Sequence, residues 1–255
     1  MKKIELTGGL GNQMFQYAYG RKKELSGDKI LFLKKFTKER KYLLDSFNIK
    51  TKSNMIKMKE NILSKIKNKF YIYLKLDTIK YYQNEKYFKN IENIIREEFN
   101  LKNPLIDVSK KWEEDIKSSP ISVSIHIRRG DYVNNPKTNK YHGICGIEYY
   151  KKAINLLENK IGKNFEIFIF SDDIKWTKNN LSFNQQMNFV SSPEIPDYEE
   201  MYLMSLCKHN IIANSTFSWW GAWLNKNPNK IVIGPEQWFN KKTIKNIMPS
   251  KWIKI

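Results

Sequence analysis

The stretch Ser124-Ile125-His126-Ile127-Arg128-Arg129-Gly130-Asp131-Tyr132 decides how this chain is read. Together with the preceding Ile121-Ser-Val, it opens as a run of β-formers and predicts a buried strand. The run breaks at Arg128 into a turn carrying two guanidiniums, an imidazole and a carboxylate. Open α/β sheets place ligand chemistry at the carboxyl ends of their strands. A guanidinium offers a planar fork of donors that matches phosphate oxygens in pairs, so this turn reads as a phosphate clamp. A solvated turn making local ion pairs is the competing reading, and it would prevail for an isolated Arg-Arg-Gly-Asp. The apolar strand before it, and matching loops elsewhere, favour the clamp.

Working outward, strands and helices alternate. A helix is expected at Ile147–Lys160, where Tyr149, Ala153, Leu156 and Leu157 share a face. Phe165-Glu-Ile-Phe-Ile-Phe170 reads as a buried strand ending at Ser171-Asp172-Asp173, and Met187–Val190 as another after a short helix. A helix at Asp197–Lys208 carries acids in its first turn, which suits its macrodipole. Asn210–Ala213 is a strand, Ser215–Leu224 a helix and Lys230–Gly234 the last strand. At the other end, Lys3–Leu6, the glycine loop Thr7–Asn12, a helix from Gln13 to Leu25 and Lys29–Leu33 form a β-loop-α-β unit. Between Phe36 and Lys110 the pattern is Lys-rich, with helical stretches at Ser53–Lys69 and Tyr87–Glu98 and a strand-like Phe70–Leu76. Asn103-Pro104 and Ser118-Ser-Pro120 bracket a domain boundary. The alternation predicts an α/β fold with doubly wound parallel sheets.

In such a fold the strand-end loops converge. The glycine loop offers close backbone approach through Gly9, Gly11 and Asn12. It is not a dinucleotide fingerprint, since Met14 stands where Gly or Ala is required, nor a P-loop, since no Gly-Lys-Ser/Thr follows. Asn214, Ser215, Thr216 and Ser218 gather at a helix N-terminus, as an anion site or a plain N-cap. Asp172 and Asp173 either cap the next helix or grip a ribose or base edge. Trp219-Trp220-Gly221-Ala222-Trp223 reads as core packing.

Composition narrows the classes. The 255 residues are 41% hydrophobic and 14% aromatic, enough for a sizeable core. No run approaches the ~18 apolar residues of a spanning helix, and the start lacks a signal-peptide pattern, so a cytoplasmic protein, soluble or peripheral, is expected. Cys145, Cys207 and three histidines supply neither a disulfide framework nor a metal cluster. Lysine and arginine number 45 against 26 acids, leaving a net charge of +19. Nucleic acid, anionic membrane and phosphorylated small molecules all fit that excess, as does lysine that merely fills solvated faces. No nucleic-acid-binding motif accompanies the charge.

Four motifs, Gly8-Gly-Leu-Gly-Asn-Gln-Met-Phe-Gln-Tyr-Ala18, His126-Ile-Arg-Arg-Gly-Asp-Tyr132, Phe170-Ser-Asp-Asp173 and Asn214-Ser-Thr-Phe-Ser-Trp-Trp220, together resemble the bacterial α-1,2-fucosyltransferases of glycosyltransferase family 11. They occur in that family's order and span both ends of the chain. The His-x-Arg-Arg-x-Asp motif is also similar to that of α-1,6- and protein O-fucosyltransferases. The resemblance implies a GT-B-like fold of two Rossmann-like domains facing a cleft. Residues 1–115 would be the acceptor side with its Lys-rich variable middle, and 116–255 the nucleotide-sugar-binding domain. It further implies GDP-β-L-fucose as donor, inverting transfer to a sugar 2-hydroxyl, and no metal or other cofactor. Arg128 would then neutralise the diphosphate, supported by Arg129 and His126. Ser215, Thr216 and Ser218 would add donors, and Asp172 or Asp173 would take the guanine or ribose. Asp131 and His142 are alternative general bases, with Asp131 equally placed to orient Arg128. The expected acceptor is a lipid-linked glycan of O-antigen or another surface polysaccharide, met at the inner face of the cytoplasmic membrane.

Overall fold

The computed structural model describes residues 1–37, 40–57, 81–240 and 247–255. The chain divides into two compact units, Met1–Lys102 and Asn103–Ile255. Among the described residues, no helix is long and apolar enough to cross a membrane.

In the first unit, β1 (Lys2–Leu6), β2 (Ile30–Lys34) and β3 (Asn54–Lys57) form a parallel sheet in that order. Helix α1 (Leu10–Leu25) makes the crossover from β1 to β2. It starts earlier than the sequence predicted, because the Gly9 carbonyl accepts from Asn12 and Gln13 and so makes Gly9 the cap. Gly11 and Asn12 therefore lie in the first helical turn. Strand β3 stands where the helix Ser53–Lys69 was expected. It lies in parallel register on the open edge of β2, Leu31 opposite Asn54 and Lys34 opposite Lys57. Residues 58–69 of that expected helix, and the expected strand at 70–76, fall outside the described residues. The helix expected at Tyr87–Glu98 is shortened to α2 (Glu92–Glu98), after two 3-10 turns at Glu85–Tyr87 and Lys89–Ile91. Between those turns the chain breaks to turn Phe88 fully into the core, 6.1 Å from the Phe15 ring.

Helix α1 packs through Met14, Phe15, Tyr17 and Ala18, all fully buried. A charged network ties it to α2: the Tyr17 hydroxyl donates to Glu98 Oε2 at 2.5 Å, and Arg21 Nε donates to Glu98 Oε1 at 2.8 Å. Glu98 is only 1% exposed, and a carboxylate at that depth is tolerated only when paired and hydrogen-bonded, as here.

The second unit begins with α3 (Asp107–Ser118), a helix the sequence reading did not predict. The expected cut at 115/116 would run through α3, which belongs whole to the second unit. There follow β4 (Ser122–Ile127), α4 (Gly130–Asn134), α5 (Pro136–His142), α6 (Ile147–Ile161), β5 (Glu166–Ser171) and α7 (Ile174–Asn180). The chain continues through β6 (Met187–Phe189), α8 (Asp197–Leu206), β7 (His209–Ile211), α9 (Thr216–Leu224), β8 (Val232–Gly234) and β9 (Ile253–Lys254). Every pairing is parallel, in the order β6-β5-β4-β7-β8-β9.

Helices cover both faces of this sheet. Val123, Ile125, Ile127, Ile167 and Ile169 pack with Tyr150, Ala153, Ile154 and Leu157 of α6. Phe168 and Phe170 point the other way, with Ile116 of α3 and Leu203 and Met204 of α8. This burial on both sides is why β5 reads as a near-continuous apolar run, whereas β4 alternates Ser122, Ser124 and His126 with its apolar residues and buries both sets. The order reverses between β4 and β7, the switch point at which doubly wound sheets open a crevice. A buried amide relay fastens that seam: Asn225 Nδ2 donates to Asn210 Oδ1 at 2.8 Å, and Asn210 Nδ2 donates to Ser124 Oγ at 2.7 Å.

Gly20 tests the packing of the first unit. A Cβ there would lie 2.4 Å from Phe32 Cε1 and 2.9 Å from Ile4 Cδ1. Phe32 is fully buried and stacked on Tyr17, so its ring has nowhere to swing. Gly20→Ala is expected to destabilise by about 1–2 kcal/mol despite alanine's better helix propensity, measured as a shift in urea midpoint.

Candidate active site

The register of β4 on β5 sets the site. Ile127 lies opposite Ser171, so Arg128 and Asp172 leave the sheet side by side. Asp172 Oδ2 pairs with Arg128 Nη1 at 2.9 Å, and Asp172 Oδ1 accepts the Arg129 backbone N–H at 2.8 Å. From the other side Asp131, in the first turn of α4, takes Arg128 Nη2 at 2.5 Å. Arg128 Nε is buried without a hydrogen-bond partner. Burial opposes the charge on Arg128, but Asp172 and Asp131 outweigh it and raise its pKa. Gly130 is required by this clamp, because a Cβ would lie 2.4 Å from Asp172 Oδ2.

Arg129 is held differently. Its Nε reaches Asp173 Oδ2 at 3.3 Å, and its guanidinium carbon lies 3.5 Å from the centre of the Trp176 ring. Asp173 also caps α7 by accepting from Trp176 N at 3.1 Å. Asp173 thus fills the helix-capping role that was one of its expected readings, and both acids brace the two arginines. Trp176 carried no signal in the sequence beyond its place in the helix after Asp173.

His126 is buried at the end of β4, 4% exposed, its ring 5.6 Å from Phe217 and its Nδ1 without a partner. Burial, reinforced by Arg128, pushes its pKa down to about 3. It is therefore a neutral imidazole and adds no positive charge beside Arg128. His142, at the end of α5, stacks on Tyr132 at 4.6 Å and 16° and packs against Tyr141 and Phe239. Burial lowers its pKa, with Arg128 adding to the shift and Asp131 opposing it.

The loop after β7 forms the N-cap that was one of its two expected readings. Asn214 Nδ2 donates to the His142 carbonyl at 2.8 Å, pinning the α5 exit. Ser215 Oγ accepts from Phe217 N at 3.3 Å as the cap of α9, and the fully buried Ser218 donates its hydroxyl to the Ser215 carbonyl at 3.3 Å. Thr216 is half-buried in the first helical turn. Trp219 and Trp220 are fully buried, as core packing requires.

Gly9, Gly11 and Asn12 belong to the first unit. Gly8 holds a left-handed φ of 80°, which frees the backbone for the tight turn. Two fully buried glutamines shape that turn: Gln16 Oε1 accepts the Thr7 N–H at 2.8 Å, while Gln13 Nε2 donates to the Gly8 and Lys41 carbonyls at 3.0 and 2.8 Å. Sequence reading took both as helix positions. Their signal was polarity at buried helical spacing beside Met14, Phe15 and Ala18.

Glu200, in the first turn of α8, was also missed. It hydrogen-bonds Ser191, whose Oγ accepts the Ser171 N–H at 2.9 Å, so it stands behind the end of β5. Burial, with Asp197 and Asp172 nearby, pushes its pKa up to about 8. Among the described residues, no group of three or more His, Cys, Asp or Glu side chains could hold a metal ion.

The profile of glycosyl transferase family 11 matches residues 1–255. The O-antigen biosynthesis glycosyltransferase WbnK of Escherichia coli is 33% identical, covering 98% of this chain and 99% of its own. An α-1,2-colitosyltransferase of Escherichia coli is 35% identical over 98% and 97%. Among solved structures, NodZ α-1,6-fucosyltransferase soaked with GDP-fucose aligns at TM-score 0.52 over 87% of this chain and 91% of its own, at 9% identity, a likeness of fold. The resemblance carried by four short motifs thus extends over the whole chain.

Glu200 makes stability depend on pH. The folded state keeps a proton up to about pH 8 that the unfolded chain releases near its ordinary value of 4.5. Stability contributed by this group is therefore lost as pH rises through that window. Glu200→Gln should flatten the slope of urea midpoints measured at pH 5, 6, 7 and 8. An unchanged slope would place the titration elsewhere.

Proposed function

We propose that this chain, which belongs to glycosyl transferase family 11, transfers L-fucose from GDP-β-L-fucose to the 2-hydroxyl of a galactoside with inversion, in the synthesis of O-antigen or a related surface polysaccharide. The observation that carries the reading is the pair of braced arginines at the β4–β7 switch point, where a diphosphate leaving group would lie. The GT-B-like assignment of the fold belongs to the same proposal.

In this mechanism Arg128 faces the β-phosphate and stabilises the charge that develops as the glycosidic C1–O bond breaks. Arg129, stacked on Trp176, sets the approach. Asp131 and Asp172 keep the Arg128 fork aimed, and His126 serves as a neutral hydrogen-bonding group near the nucleotide. Ser215 and Thr216 lie at the α9 terminus on the same strand ends, while Asn214 and Ser218 shape that loop. Asp131 is engaged by Arg128, so the base falls to His142, whose lowered pKa keeps it unprotonated at neutral pH. Gly9, Gly11 and Asn12 are ligand candidates of the first unit by itself. The +19 charge supports peripheral action at anionic membrane, on a lipid-linked acceptor.

A second donor reading rests on the α-1,2-colitosyltransferase relative: GDP-colitose, whose sugar lacks the 3-hydroxyl of fucose. Incubating the protein with each donor and a panel of β-galactosides, then assigning the product linkage by NMR, separates the two. Transfer of fucose to O2 is the expected result, and colitose transfer with inert GDP-fucose overturns the donor assignment.

Arg128→Ala should lower kcat by roughly 100- to 1000-fold and weaken GDP binding. Activity retained in that variant sinks the clamp. As a base, His142 must be unprotonated, so activity should fall as pH drops through an apparent pKa below 6.5. In His142→Gln that acid limb should vanish along with most of the rate; a limb that persists assigns the base to another group.

A further inference from the structure

On the first unit, three tyrosines form a ready-made platform at the protein surface. Tyr19 of α1 and Tyr82 stack with ring centres 3.7 Å apart and planes within 9°. Tyr87 stands at 86° to both, 5.8 Å from each, so the two stacked rings meet it from one side. Tyr87 is 37% exposed, and Tyr19 and Tyr82 are half-buried. Aromatic rings that serve only the core of this unit, such as Tyr17, Phe32 and Phe88, are fully covered.

The backbone is strained to hold the platform. Tyr82 has φ 52°, the single positive φ among described residues other than glycine, and a bulky side chain there costs on the order of 1–3 kcal/mol. That conformation puts the Tyr82 ring on Tyr19 and sends the next residue to the glycine turn, where Gln83 Nε2 donates to Asn12 Oδ1 at 2.8 Å. Asn84 then caps the turn that carries Tyr87, accepting from Lys86 N at 3.0 Å. Strain, stacking and the bond to Asn12 thus fix exposed aromatic surface beside the first turn of α1.

We propose that Tyr19, Tyr82 and Tyr87 form the subsite that binds the acceptor sugar, with a pyranose laying its C–H face on the exposed ring of Tyr87. Aromatic side chains combine a large apolar face with a polar rim, which suits a ligand that has one C–H face and a ring of hydroxyls. The site adjoins Asn12 through Gln83, continuous with the glycine turn. Lys23 Nζ and Lys86 Nζ lie over the Tyr19 and Tyr87 rings, 5.8 and 5.1 Å from their centres; a bound pyranose would take the place of the exposed Lys86 ammonium on Tyr87 and accept from it at a hydroxyl. The proposal rests on the reading of the protein as a galactoside-directed transferase.

The test uses the full chain, methyl β-galactoside and GDP. Tyr87→Ala should raise the acceptor KM roughly three- to tenfold and leave the GDP dissociation constant unchanged, while Tyr87→Phe restores the acceptor KM. An unchanged acceptor KM in Tyr87→Ala overturns the subsite, and a shift in GDP affinity instead assigns the platform to the nucleotide and overturns it too. Should the wild type prove inert toward GDP-fucose, the donor reading fails separately. Saturation-transfer NMR with methyl β-galactoside then decides the platform alone: signal lost in Tyr87→Ala and kept in Tyr87→Phe supports it, and equal signal in all three refutes it. Tyr82→Gly, which relieves the positive φ while removing the stack, should weaken the sugar without lowering the thermal midpoint.

Discussion

Everything at the carboxyl edge of the second sheet depends on one carboxylate. Asp172 uses one oxygen on the Arg128 guanidinium and the other on the Arg129 backbone N–H, so the ends of two neighbouring parallel strands are tied by a single side chain. The register that places Ile127 opposite Ser171 brings them within reach, and the missing Cβ of Gly130 leaves room for the carboxylate. Asp131 and the Asp173–Trp176 pair then fix the two guanidiniums from their far sides. Immobilising a long side chain costs up to about 2 kcal/mol of rotamer entropy. Here that ordering is complete once the sheet has formed, so a ligand meets donors already in place.

The same bracing limits the electrostatics. Two guanidiniums face three carboxylates, and His126 is neutral because it is buried beside a positive charge. The immediate site is therefore not a simple positive hole. An incoming anion finds one buried, unpartnered donor in Arg128 Nε and competes with Asp131 and Asp172 for the rest. The net charge of +19 acts over a longer range: it attracts anions and anionic surfaces at a distance, whereas the acids dictate geometry at contact. The two scales of charge perform separate tasks, and composition revealed only the first.

What the sequence disclosed follows from burial. Strand β5 is covered on both faces, so Ile167–Phe170 are apolar without alternation and were legible at once; β4, equally buried, alternates Ser122, Ser124 and His126 with Val123, Ile125 and Ile127 and was read from its β-formers. The arginine turn was legible because it ends a buried strand. The partners of those arginines were not, since a bare Asp172-Asp173 pair looks the same whether it caps a helix, holds a ribose or braces an arginine; register, which sequence does not print, made the choice. Helices α4 and α5 are short and mostly polar, and both escaped notice. So did α3, although Val108, Trp112 and Ile116 recur on one face at intervals of four; its many charged residues masked that stripe. In the first unit β3 escaped because an edge strand with one half-buried side chain, Met55, carries no alternation to read.

The two units solve one problem by different chemistry. Each must shape a loop at the end of its first strand, β1 in one and β4 in the other. In the second unit the loop presents fixed cations, and only ionised carboxylates bind guanidiniums strongly enough to hold them partly buried. In the first unit the loop presents glycine backbone, with the Arg40 guanidinium beside Gly9. There the work falls to amides: Gln13 and Gln16, both fully buried, bond to Thr7, Gly8, Lys41 and Leu43 without adding charge. Replacing an amide by a carboxylate in the first loop, or the reverse in the second, would leave a buried donor or a buried cation unmatched. The identity of the side chain behind each loop therefore follows from what that loop presents, guanidiniums in the second unit and backbone in the first.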